Sequence, residues 1–132
     1  MALTRGQQQP SHWPADPPLV EALARSPRGP KRQGVYALWL IVRTALDLCL
    51  DPPLPERSHR RRLAAVERRI SSLTVPAPLR RALSAAMNDL RDPTPATAVR
   101  VLRQMVAPAE DTLGRDVGKI VAEAVKAAGA AR

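Results

Sequence analysis

An all-α fold follows from three features of the sequence. From residue 31 onward apolar residues recur at three- and four-residue spacing, and proline punctuates the segments that carry this spacing. Aromatic residues make up only 2% of the chain, with no phenylalanine, so the core must be built from Leu, Val, Ile, Ala and Met. Such side chains suit close-packed helices. The expected architecture is a five-helix bundle, made of one central apolar helix and two helical hairpins, behind a Pro-rich extended N-terminal tail.

Residues 1–30 form that tail, and residues 31–129 the bundle domain. Six of the 14 prolines lie in the first thirty residues. Each removes a backbone donor and fixes φ, so no long helix fits. One short helix can form inside the tail, with Asp16 as cap, Pro17 in the first turn and Leu19, Val20 and Leu23 as an apolar edge. Trp13, Leu19, Val20 and Leu23 are a candidate linear motif that orders on a partner. The competing reading folds Trp13 back on the bundle. If residues 1–30 are a tail, removing residues 1–28 leaves the bundle folded.

The first bundle helix is expected from Lys31 to Leu50, stopped by Asp51-Pro52-Pro53-Leu54-Pro55, because residues before proline avoid the helical region. Val35, Leu38, Trp39, Leu40, Ile41, Val42, Leu46, Leu48, Cys49 and Leu50 cover most of its circumference, leaving Tyr36, Arg43, Asp47 and Asp51 as a narrow polar stripe. A helix apolar nearly all round belongs at the centre of a bundle. Arg43 and Asp47, four apart, can pair along the stripe.

The second helix spans about 56–73, with Leu63, Val66, Ile70 and Leu73 inward, and the third about 77–91, with Leu79, Leu83, Met87 and Leu90 inward. The fourth, about 95–106, starts at a Thr94 cap with Pro95 in first position. The fifth, about 109–128, opens on Glu110 and Asp111 and ends at Gly129, matching the helix dipole and a glycine cap. Short Val/Pro/Ala connectors at 73–79 and 105–109 make each half a hairpin. Gly114 and Gly118, four apart, allow another helix to approach closely, within the domain or across a homodimer.

Several function classes drop out on composition. Cys49 is the only cysteine and reads as a core residue, which removes intrachain disulfides and four-thiolate or Cys2His2 zinc sites. Residues 1–10 contain no apolar stretch of a secretory signal, and the apolar run 35–50 is interrupted by Arg43 and Asp47, so a cytoplasmic protein is expected and a membrane association ranks last. His12 and His59 join no metal-binding or catalytic pattern, and no Gly-rich phosphate loop occurs. No catalytic residue, metal or cofactor is expected, and the protein reads as a non-enzyme.

The chain carries 21 Lys and Arg against 12 Asp and Glu, a net charge of +9. Arginine supplies 18 of those cations, as a GC-rich genome favours, but codon bias does not by itself create net charge. Eight arginines concentrate in the second and third helices: Arg57, Arg60, Arg61, Arg62, Arg68, Arg69, Arg80 and Arg81. The planar guanidinium fork matches carboxylate and phosphate. The same run also describes a solvated helix face. The favoured function is an accessory or adaptor subunit that binds an acidic macromolecular surface, first a protein partner in a multi-subunit assembly. Sequence-independent binding to a nucleic-acid phosphate backbone comes second. Single-strand binders use aromatic platforms. Tyr36 and Trp39 are expected in the core, which leaves Trp13 alone for that role.

Overall fold

The apolar helix is central, and every other helix leans on it. The computed structural model describes residues 13–131, and these form six helices in the order α1 (Asp16–Arg25), α2 (Pro30–Asp47), α3 (Glu56–Ser71), α4 (Ala77–Asp89), α5 (Pro95–Leu113) and α6 (Arg115–Ala131). No strand occurs among the described residues. Helix α2 packs against all five others. Val35, Leu38, Ile41, Val42 and Leu46 have no exposed surface, so the continuous apolar character of this helix is spent on contacts in several directions. No helix among the described residues is long and apolar enough to cross a membrane.

The expected tail is folded from Trp13 onward. Trp13 and Ala15 are buried, and α1 places Leu19 in the core with Leu23 packed against it. Val20 faces outward and is 49% exposed, alone among the large apolar side chains described. Proline did not prevent this because Pro17 and Pro18 sit in the first turn, where their missing N–H groups have no intrahelical partner to lose. Asp16 is the first helical residue rather than the cap, and Ala15 occupies the cap position. Three members of the candidate linear motif are thus packed inside the chain. Residues 1–12, including His12, lie outside the described residues.

Pro108, expected between two helices, lies inside α5. Interior proline costs about 3 kcal/mol through a lost hydrogen bond and a clash with the preceding turn. Continued burial offsets this cost: Ala98, Leu102, Met105, Ala109 and Leu113 form one buried row that runs through the proline. The chain reverses instead at Gly114, whose φ of 113° is a conformation that L side chains rarely adopt. Glu110 and Asp111 consequently lie in the last turn of α5, not the first turn of the next helix. At the other end of α5 the expected cap is present, with Thr94 Oγ1 accepting from the Thr97 N–H at 3.2 Å.

Of the two expected hairpins, α5 and α6 form the closer pair among the described helices; α3 and α4 pack mainly on α2, with α4 also along α5, and meet each other through side chains near their ends. The glycine spacing is used at the α5–α6 contact. A Cβ on Gly118 would stand 2.7 Å from Glu110 Cβ and 3.1 Å from its Cα. Gly114 makes the turn and Gly118 lets the backbones close over it, so both are accounted for within one chain.

Two stability measurements follow. Leu19→Ala is expected to lower the unfolding free energy by about 2–5 kcal/mol, as for a core leucine, and a change under 0.5 kcal/mol in urea denaturation would return α1 to the status of a tail. Gly118→Ala should destabilise by about 1–3 kcal/mol through overpacking. Gly129→Ala, with nothing within 4 Å of the added carbon, should instead be neutral or stabilise by up to about 1 kcal/mol. Equal effects at the two positions would refute the close approach.

Candidate functional site

Two buried carboxylates decide which charges remain at the surface. Asp47, at the end of α2, accepts a hydrogen bond from Trp13 Nε1 at 2.8 Å on one oxygen and pairs with the Arg62 guanidinium on the other. Asp16, at the start of α1, accepts from Trp39 Nε1 at 3.1 Å, and Arg43 Nε lies 3.9 Å from its other oxygen. Each carboxylate is thus met by one indole and one arginine. The Arg43–Asp47 pair expected from four-residue spacing does not form. Arg43 turns to α1, and Asp47 takes its cation from α3.

These contacts sort the eight candidate arginines. Arg62 is structural, committed to Asp47. Arg80 is structural as well: its guanidinium donates to the Leu73 carbonyl just beyond the end of α3. That contact explains a cation in the first turn of α4, where the helix dipole disfavours one. Arg60 sits 3.6 Å from Glu56, one turn earlier. Arg69 lies over the Tyr36 ring, 5.9 Å from its centroid. Arg57, Arg61, Arg68 and Arg81 are exposed and have no charged or hydrogen-bonding side-chain partner among the described residues.

Helical periodicity brings three of the four together. Arg57, Arg61 and Arg68 share the face of α3 opposite Leu63, Val66 and Ile70, and span about 16 Å of helix. The two glutamates of α3 do not dilute this row. Both lie on one flank, where Glu56 meets Arg60 and Glu67 meets Arg91 at 3.2 Å. The outer face is therefore cationic and uncompensated. Arg81 is exposed on α4, a separate element.

Three residues depart from the expectation. His59, which joins no metal-binding or catalytic pattern, has a structural role. It is 1% exposed, and its Nε2 lies 2.7 Å from the Leu90 carbonyl, as donor to it, which ties α3 to the end of α4. Its spacing from Leu63, Val66 and Ile70 already puts it on the apolar face. Tyr36 and Trp39 were expected in the core but are half-buried. Their ring centroids lie 6.0 Å apart, and Arg43 sits over Trp39 at 5.6 Å. Cys49 is buried, as expected. Among the described residues no group of three or more His, Cys, Asp or Glu side chains could hold a metal ion.

The division between structural and free arginines can be measured. Arg62→Met leaves Asp47 buried without its cation and is expected to destabilise by about 1–3 kcal/mol, less than for a fully buried pair because about a third of the Arg62 side chain meets water. Arg61→Met should stay within about 0.5 kcal/mol of the parent protein. If urea denaturation gives the two variants the same stability, the sorting is wrong.

The chain matches no protein-family model, no curated protein and no solved structure, so its fold and its arginine face stand on their own geometry.

Proposed function

We propose that the protein is a non-enzymatic accessory subunit that docks on an acidic macromolecular surface through the outer face of α3. The observation that carries this reading is the row Arg57, Arg61 and Arg68, exposed over three turns with both nearby glutamates engaged elsewhere. A merely solvated helix gains from interspersed opposite charges, which form one-turn pairs and relieve repulsion. This face has none. Holding three guanidinium groups together without counter-charge is unfavourable until a polyanion arrives, and the relief of that repulsion adds to binding.

Acidic protein and phosphate backbone present the same demand to such a row. Sequence reasoning placed a protein partner in an assembly first and nucleic acid second. The half-buried rings on α2 favour nucleic acid, since bases can stack on them and an acidic polypeptide gains little from them. A homodimer draws no support from Gly114 and Gly118, whose geometry is satisfied within the chain.

The test is copurification of the tagged protein from its host, with and without nuclease, beside the triple variant Arg57→Glu, Arg61→Glu, Arg68→Glu. The variant is expected to keep its helical circular dichroism and lose the copurifying macromolecule. Retention of the same material by the folded variant would dispose of the α3 face as the docking surface.

A further inference from the structure

Helix α2 lies between α1 and α3, and both neighbours run antiparallel to it. On one side Trp13 meets Asp47, and Asp16 meets Trp39. On the other, Arg62 meets Asp47, Arg69 covers Tyr36, and the Thr74 N–H donates to Gln33. Helices α1 and α3 make no substantial contact with each other. The outer stripe of α2 is therefore the floor of a channel. Tyr36, Trp39 and Arg43 lie along that floor at three- and four-residue spacing, and all three are half-buried. The channel is closed at one end, where Trp13 and Arg62 converge on Asp47.

The chemistry of this channel is uneven. Two neighbouring rings, Trp39 and Tyr36, lie along it between two guanidinium groups, Arg43 on the floor and Arg69 on the α3 side. Its α3 rim is the uncompensated arginine row. Of the carboxylates nearest the floor, Asp16 lies on the α1 wall and Asp47 at the closed end; both are buried and already met by indole and guanidinium groups. Glu21 on the α1 wall is the acidic group left exposed beside Trp39 and Arg43. An acidic polypeptide would use the rim and gain little from the rings. A single strand of nucleic acid uses both, since bases stack on aromatic or guanidinium planes while phosphates follow a basic edge. A duplex hides its base faces and could reach only the rim.

We propose that the channel over α2 binds single-stranded nucleic acid, with Tyr36 and Trp39 as the surface on which bases stack and Arg69, Arg61 and Arg68 as the contacts to its phosphates. This rests on the polyanion-binding reading of α3 and names the polyanion. The stacking contribution is independent of sequence, because every base offers a π-face.

Fluorescein-labelled dT15, a 20-base-pair duplex and a poly-glutamate of similar charge are the probes, titrated by anisotropy over a range of salt. The parent protein is expected to bind dT15 more tightly than the other two, with quenching of tryptophan fluorescence. Tyr36→Leu should weaken dT15 binding by about ten-fold, within the range for loss of one stacked base, and leave poly-glutamate binding unchanged. The triple α3 charge reversal should weaken all three probes. Equal affinity for poly-glutamate and dT15, with no effect of Tyr36→Leu, would overturn the single-strand proposal and leave the α3 face standing. Unchanged binding of every probe to the charge-reversed protein would remove both. Should Tyr36→Leu fail to fold, the order of affinities and the tryptophan quenching in the parent protein decide alone, and absence of dT15 binding at 50 mM salt, on the order of the low end used for such contacts, overturns the proposal.

Discussion

Burying a carboxylate costs several kcal/mol unless its oxygens are met by donors, and Asp47 meets that requirement only by drawing in two other parts of the chain. One oxygen takes the indole N–H of Trp13, 34 residues earlier, and the other takes Arg62, 15 residues later. Neither contact can be lost without leaving an unsatisfied charged group under the surface. The position of α1 and the pitch of α3 against α2 are thereby fixed together. Asp16 makes a looser version from the opposite direction, with a hydrogen bond from the Trp39 indole and an ion pair to Arg43 at 3.9 Å, both supplied by α2. The apolar core alone would hold these helices near one another but leave their rotation loosely specified. The two carboxylates set that rotation, and with it the direction in which the α3 arginines point.

This arrangement also separates structural from available charge. Arg62 and Arg80 have the same composition as Arg61 and Arg81, one residue away, and opposite fates. One member of each neighbouring pair is turned inward to a carboxylate or a carbonyl, and the other is left in water. A helix advances about 100° per residue, so adjacent positions necessarily sample different environments. Concentrating arginine in one helix therefore supplies both a clamp and a surface from the same stretch of sequence.

The helical class, the central place of α2, the Thr94 cap and the burial of Cys49 were legible because each depends on local spacing or on one residue and its neighbours. The course of α5 through Pro108 was legible in principle, since Ala98, Leu102, Met105, Ala109 and Leu113 keep their period across it. Proline locally favours a break there, but tertiary burial outweighs that penalty. The inward turn of His59 could likewise have been read from its place on the Leu63 face. The partners of Asp47 could not. A four-residue neighbour was the only cation in reach of a sequence argument, and the true partner lies on another helix. The half-buried state of Tyr36 and Trp39 was hidden for a related reason, because it depends on α1 and α3 flanking α2 without meeting above it.

The convergence on Asp47 has a consequence for how the chain is assembled. Synthesis proceeds from the N-terminus, so Trp13 and α1 emerge before the segments that anchor them. Their anchor, Asp47, follows only after α2 is complete, and its counter-ion Arg62 comes later still. Helices α5 and α6, by contrast, are sequence neighbours joined at one glycine and can pair as soon as both exist. Trp13 and α1 are thus held in waiting, and their final seating records that two later segments have already found their places.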